Sequence, residues 1–249
     1  MIQYDNTFFD YVTEGAKRSA QIMLPELLAL LKIESVLDVG CGRGAWLSVW
    51  STLGVTQLTG VDGSYVDRDR LLVSRDDFVP HNLETPFDLE KRFDLVQCLE
   101  VAEHLPKSTA HTFVRTLTRH GDTILFSAAP KGQGGDHHIN EQDYDYWRTL
   151  FLAEGYIAVD FLRSRIATQL SVEPWYRYNT FLYIANSIVP NLPDALKARI
   201  TSPKKPLKDV SPPLYRLRKL FVRMLPISLA SKIAKLKERR RVASTRFTD

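Results

Sequence analysis

Residues 36–44 read Val36-Leu-Asp-Val-Gly-Cys-Gly-Arg-Gly44, a short apolar run closing on three alternating glycines. Ser35 to Val39 has the character of a strand, and Gly44 to Leu53 that of the helix after it. Glycine permits a tight turn and a close approach of backbone to ligand, and the free N–H groups of a helix start attract anions. A dinucleotide site would carry GxGxxG. Here the spacing is GxGxG, with Asp38 two residues ahead of Gly40. An acid at that place suits a ligand bearing an ammonium and a sulfonium better than a pyrophosphate. The alternative is a tight strand-to-helix turn that holds nothing. A second motif argues against it: Gly60-Val-Asp62 closes the next strand, Gln57 to Val61. A carboxylate at that strand end can take both hydroxyls of a ribose, and Asp62 follows Asp38 by the interval of one βαβ step.

Further elements alternate along the chain. Residues 14–32 carry Ala20, Met23, Leu27, Leu28 and Leu31 at helical spacing. Strands are predicted at Asp77 to Pro80, Phe93 to Leu99, Asp122 to Ser127, Tyr156 to Phe161 and Thr180 to Ala185. Helices are predicted over Thr109 to Leu117 and Tyr144 to Glu154. Seven strands interleaved with helices predict an α/β fold, a doubly wound, mostly parallel sheet with helices on both faces.

The segments VLDVGCGRGAWL (36–47), GVDGSYVDRDRL (60–71) and FDLVQCLEVAEHLP (93–106) closely resemble class I S-adenosylmethionine-dependent methyltransferases, whose sheet is Rossmann-like. LFSAAPKGQGGDHHINEQDYDYW (125–147) and WYRYNTFLYIA (175–185) resemble a bacterial group of them associated with sugar, surface-polysaccharide and secondary-metabolite pathways. The likeness covers roughly residues 4–187. It implies S-adenosylmethionine as cofactor, with Asp38, Gly40 and Gly42 along its methionine part. It places Asp62 on the ribose with Gly63 and Ser64 beside it, Asn82 and Leu83 at the adenine, and Leu99 and Glu100 flanking the sulfonium. Asn82 departs from the Asp usual in the family, though its amide can still meet adenine through one donor and one acceptor.

The sulfonium is already an activated leaving group, so the cofactor supplies the difficult chemistry and the protein aligns the reactants. A hydroxyl acceptor must also lose a proton, and histidine titrates nearest neutrality. His138, in the glycine-rich stretch 132–141 after the fifth strand, matches a recurring histidine of the resembling group and ranks first as base or substrate binder. The alternative is that His138 and Asn140 only pin a loop whose glycines make it mobile. His104, just past the fourth strand, is the second candidate. Asp136, His137, His138 and Glu141 could hold a divalent ion, but adjacent histidines in such a loop do not establish a site, and no metal ligands are assigned. Trp175-Tyr-Arg-Tyr178 reads either as an aromatic plug or as a platform for a sugar ring, with Arg177 available to a phosphate. After the fourth strand the chain reads Leu99-Glu-Val-Ala, without the Asn/Asp-Pro-Pro-aromatic motif of base-amine enzymes, and Cys98 lacks the preceding proline of cytosine-carbon enzymes. A nucleic-acid acceptor is therefore disfavoured, though the basic tail keeps it open, and a small molecule, a sugar or nucleotide-linked metabolite, is expected; the alternatives are another oxyanion or nitrogen acceptor, or a non-catalytic module that binds the cofactor and recruits other enzymes.

Only Cys41 and Cys98 occur among 249 residues, which fits a reducing, cytoplasmic setting. No stretch is long and apolar enough to span a bilayer, and the start MIQYDNTFFDY lacks the order of a signal peptide. The charge is lopsided. From Lys197 onward 16 Lys and Arg face 3 Asp and Glu, a net of +13, against −9 for the first 196 residues. Prolines at 190, 193, 203, 206, 212 and 213 predict a linker, dividing a methyltransferase domain at 1–189 from a tail at 190–249. Residues 212–241 of that tail have the pattern of a basic amphipathic helix: Leu214, Leu217, Leu220, Phe221, Met224 and Leu225, a break at Pro226, then Leu229, Ile233 and Leu236. Such a helix can lie on an anionic membrane, here at the inner face, or pack on the body or on a second subunit. Oligomeric state is left open.

Overall fold

The structure is a computed structural model and describes residues 6–225, with side chains from residue 13. Seven strands form one sheet: β1 (Ser35–Val39), β2 (Gln57–Asp62), β3 (Phe78–Pro80), β4 (Leu95–Leu99), β5 (Thr123–Ser127), β6 (Tyr156–Val159) and β7 (Phe181–Ala185). Their order is β3-β2-β1-β4-β5-β7-β6. All neighbours are parallel except β7, which runs antiparallel to β5 and to β6. Eight α-helices accompany them among the described residues: α1 (Asn6–Leu28), α2 (Ala45–Thr52), α3 (Ala110–His120), α4 (Tyr144–Ala153), α5 (Leu162–Ile166), α6 (Pro174–Asn179), α7 (Asp194–Lys197) and α8 (Pro213–Arg223).

Every residue of β1, β4, β5 and β7 is buried. That is why these strands read as unbroken apolar runs: a sheet covered on both faces has no solvent side to mark with polar residues. Successive side chains still part to opposite faces. Val36, Leu95, Leu125 and Ile184 join Met23 and Leu27 of α1 and Trp50 of α2 in one core. Leu37, Val96, Ile124 and Tyr183 join Val114 and Leu117 of α3 and Phe151 of α4 in the other. The Trp50 indole, fully buried, donates to Gln97 Oε1 at 3.2 Å, so its one polar atom is satisfied inside the core. Tyr183 and Phe151 stack at 3.9 Å.

The structure refines the expected elements. The first helix begins at Asn6 and gives up regular geometry after Leu28, although Leu31 N still bonds the Leu27 carbonyl at 2.8 Å. Trp175-Tyr-Arg-Tyr178 lies in α6, a short helix with Pro174 at its first turn, where the missing N–H costs nothing.

The proline-rich segment after 190 packs on the body. Leu192 and Leu196 belong to the α1/α2 core, and Ile200 forms a bridge with Val159. Arg148 Nη1 donates to the carbonyls of Ser202 (3.0 Å) and Lys205 (2.7 Å), and Arg163 Nη1 to that of Lys208 (2.9 Å). A proline-rich segment donates few backbone bonds, but its carbonyls are full acceptors, and two buried guanidiniums use them to hold the segment on the body. Beyond it, α8 leans on the loop after β5 and turns Leu214, Leu217, Leu220 and Phe221 to solvent, with Met224 exposed at its C-cap. The remainder of the expected tail helix, with Leu229, Ile233 and Leu236, lies outside the described residues.

Candidate active site

Parallel strands bring their carboxyl ends to one edge of the sheet, and that edge collects the acidic residues singled out above. Asp38 pairs with Gly60 of β2 on one side and Gln97 of β4 on the other, so it sits at the middle of the sheet, where the strand order reverses. Gly40, Gly42 and Gly44 all have positive φ, at 83°, 54° and 83°. At Gly42 a side chain would meet open space, so the conformation, and room for something to lie against the backbone, are what keep it glycine.

Asp62 is buried and makes three bonds: Oδ2 accepts from Gly42 N at 2.7 Å, and Oδ1 from Gly63 N and the Tyr65 hydroxyl, both at 2.6 Å. The second carboxylate thus ties the glycine turn to the strand beside it. Burial raises its pKa. Asp38 is buried too, and its Oδ2 has no hydrogen-bond partner. Burial pushes the Asp38 carboxyl up to about 7. A buried oxygen without a donor invites a cation, and the ammonium of a methionine moiety supplies one. The cradle therefore fits S-adenosylmethionine.

The other cofactor positions fall around it. Gly63 is half-buried and Ser64 exposed; Tyr65, which the sequence reading passed over, lies across Gly63 with its hydroxyl on Asp62. His81 N bonds the Asp62 carbonyl at 2.7 Å, bringing the 81–83 segment to the same edge. Leu83 is buried, while Asn82 is exposed and spends Oδ1 on Glu84 N at 3.1 Å, which leaves its amide N–H groups for a ligand.

Leu99 ends β4 buried, and Glu100 follows in a left-handed conformation, φ 56°. Such a backbone is costly for a non-glycine residue. It is held by Glu100 N donating to the Ser127 carbonyl at 3.0 Å and hydroxyl at 3.2 Å. Glu100 Oε2 accepts from Gln133 Nε2 at 2.6 Å; Gln133 Oε1 accepts from Asn179 Nδ2 at 2.7 Å; Asn179 Oδ1 accepts from the Tyr144 hydroxyl at 2.8 Å. This chain of polar groups, joining four elements, was not foreseen from the sequence.

The structure brings His104 and His138 together, ring centroids 4.9 Å apart and edge to face. Burial, and next the neighbouring His138, depress the His104 pKa to about 3, so its imidazole is neutral at ordinary pH. The glycine-rich stretch that carries His138 is not the loose loop its composition predicts. Glu141 accepts from Gly132 N and Gly134 N, each at 2.7 Å, and from His138 Nδ1 at 2.9 Å. Ile139 N and Asn140 N both donate to the Glu103 carbonyl, and Asn140 Nδ2 reaches the Ala102 carbonyl at 3.3 Å. Asn140 and Glu141 thus do the pinning. Glu141 is occupied by these bonds and His137 pairs with Asp136 at 3.6 Å, so the four residues the sequence grouped as possible metal ligands do not converge. Among the described residues the side chains that do converge are Glu103, His104 and His138. Glu103, unforeseen, is fully buried and held well above the usual carboxylate range, by burial first and by Glu100 second.

Arg177 is buried, with its guanidinium 5.1 Å from the Tyr178 ring and its Nε without a hydrogen-bond partner. A depression of about 540 Å³, lined by Arg92, Arg115, Arg119 and Glu154, opens at the opposite edge of the sheet, far from this chemistry.

A Rossmann-like sheet with an acidic, glycine-turned cradle at its switch point defines the class of S-adenosylmethionine-dependent enzymes. The chain belongs to a methyltransferase family: the family model described as "Methyltransferase domain" matches residues 12–159, and S-adenosylmethionine is the cofactor. No curated protein matches the chain by sequence. Solved structures share the fold. They include Streptomyces venezuelae DesVI (TM-score 0.54, 12% identity, 74% of this chain and 100% of that one). The methyltransferase domain of bacterial CtHen1-C is another (0.51, 19%, 68% and 97%), as is the sugar N-methyltransferase KedS8 from Streptoalloteichus sp. ATCC 53650 (0.51, 15%, 69% and 87%).

Proposed function

We propose that this enzyme moves the methyl group to a hydroxyl of a sugar or related polar metabolite, nucleotide- or lipid-linked, in glycan or natural-product biosynthesis. The observation that carries the reading is the histidine pair at the carboxyl edge, on the loop side of Glu100. On this reading the acceptor lies between Glu100 and the 131–141 loop. His138, oriented by Glu141, acts on the acceptor hydroxyl, and His104 lines the same face. Arg177 would meet an anionic group of the acceptor. A nitrogen acceptor is the second reading, favoured by the fold shared with KedS8, a sugar N-methyltransferase.

We place the enzyme in the cytoplasm, with α8 and the residues after it resting on an anionic membrane surface. Support comes from the solvent-facing apolar stripe of α8 and the +13 charge of the C-terminal 53 residues. No described helix is long and apolar enough to cross a membrane.

The test is a comparison of His138→Ala with the parent. Calorimetric affinity for S-adenosylmethionine should be unchanged, while turnover on a panel of nucleotide sugars falls by about 10²–10⁴-fold, the usual span for a lost acid–base group. Turnover within a few-fold of the parent would remove His138 from the reaction.

A further inference from the structure

We propose that Glu103, His104 and His138 form a binding site for a divalent first-row transition ion, which holds the acceptor by neighbouring hydroxyls beside the methyl donor. The inference rests on the acceptor-site reading above and specifies how His138 works there. One ligand atom from each of the three side chains falls in a group whose members all lie within 4.8 Å of one another. Metal–ligand bonds of about 2.1 Å put donor atoms roughly 3–3.5 Å apart, so small side-chain movements close the set around an ion.

Three independent features point to a cation. First, Glu103 is 0% exposed and neither carboxylate oxygen has a hydrogen-bond partner. Such a group is stabilised either by keeping its proton or by a cation that takes the proton's place. Second, both imidazoles have Nδ1 engaged. His104 Nδ1 lies 3.3 Å from the His137 carbonyl and His138 Nδ1 lies 2.9 Å from Glu141 Oε1. A carbonyl and a carboxylate accept, so Nδ1 carries a proton on each ring and Nε2 is the nitrogen that an ion would meet. Ligating histidines are commonly held in this way, by an acceptor behind the ring. Third, Gly135 leaves room for the His138 ring: a Cβ there would stand 2.1 Å from Nε2. The loop is thus shaped around the imidazole.

Two imidazole nitrogens and one carboxylate suit Zn²⁺, Mn²⁺, Fe²⁺ or Co²⁺, with positions left open for other ligands. Adjacent hydroxyls of a sugar can fill two of them. Coordination lowers the hydroxyl pKa and its proton leaves to solvent. The oxygen then forms the O–C bond as the S–C bond of the sulfonium breaks, leaving a neutral thioether. His138 acts as a ligand in this scheme, and the cation makes the nucleophile.

The experiment is titration of the full chain with Co²⁺, followed by its visible absorption, with calorimetry of S-adenosylmethionine as the check on folding. The expected result is about one Co²⁺ per chain. Glu103→Gln, His104→Ala and His138→Ala should each abolish that absorption while keeping cofactor affinity. In the unaltered chain, one equivalent of Zn²⁺ should move the imidazole NMR signals of His104 and His138 and leave those of His81 and His111 in place. Absence of Co²⁺ binding, its persistence in Glu103→Gln and His138→Ala, or Zn²⁺ shifts confined to other histidines would each overturn the site. A parent chain that bound Co²⁺ but not S-adenosylmethionine would instead overturn the methyltransferase reading alone.

Discussion

Asp38 and Asp62 are two carboxylates one βαβ step apart, and the structure gives them different work. Asp62 accepts three hydrogen bonds, from Gly42 N, Gly63 N and the Tyr65 hydroxyl, whereas Asp38 keeps an oxygen in reserve with its pKa near 7. The sign of the resulting pH dependence follows directly. An ammonium ligand binds the ionised form, so affinity for S-adenosylmethionine should climb as pH rises through about 7, by up to tenfold per unit below it. Folding responds in the opposite sense. A carboxyl whose pKa is raised in the folded state adds stability below its ordinary value, 3.8, and that contribution is lost as pH rises to about 7. Calorimetry across this range should show the climb, and Asp38→Asn should flatten it; a flat profile in the parent would separate Asp38 from the ligand.

Among the elements, what could be read in advance was what is local. Four strands announce themselves as buried apolar runs, and the glycine turn is a motif of nine consecutive residues. Glu103 and His104 meet His138 only because Ile139 and Asn140 fold back to the Glu103 carbonyl across 36 and 37 residues of chain, a pairing no periodicity encodes. The segment after 190 misleads for another reason. Its prolines are as compatible with an extended strip on a surface as with a free linker, and the deciding partners, Arg148 and Arg163, read as ordinary surface charges until their helices are placed. Arg163 is also 4.0 Å from the Phe181 ring centroid and bonds the Tyr178 carbonyl at 3.0 Å. A chain ending at Asn191 would remove Leu192 and Leu196 from the core and strip acceptors from both guanidiniums, at a cost of several kcal/mol. It should melt about 10 °C lower than the parent, whereas a chain ending at Leu225 should melt within about 3 °C of it. Equal melting of the two truncations would return the segment to the status of a linker.

At the scale of the whole molecule, an acidic body carries a basic end whose first helix shows four large apolar side chains to solvent. On the membrane reading, sedimentation with anionic vesicles should be strong at low salt, weaken as salt screens the tail, and vanish with neutral lipid. Phe221→Glu, on the exposed side of α8, should lower it several-fold without changing the melting temperature. Binding indifferent to both lipid charge and Phe221 would count against this placement.

The two faces of α8 do not act separately. Arg218 donates to the Gln133 carbonyl at 3.0 Å and Arg223 Nε to that of Lys131 at 2.8 Å, and the Gln133 side chain is the one that grips Glu100. On the membrane reading, a helix resting on lipid and the Glu100 carboxylate would be joined through one residue, Gln133, so a displacement of α8 would be felt at the candidate site.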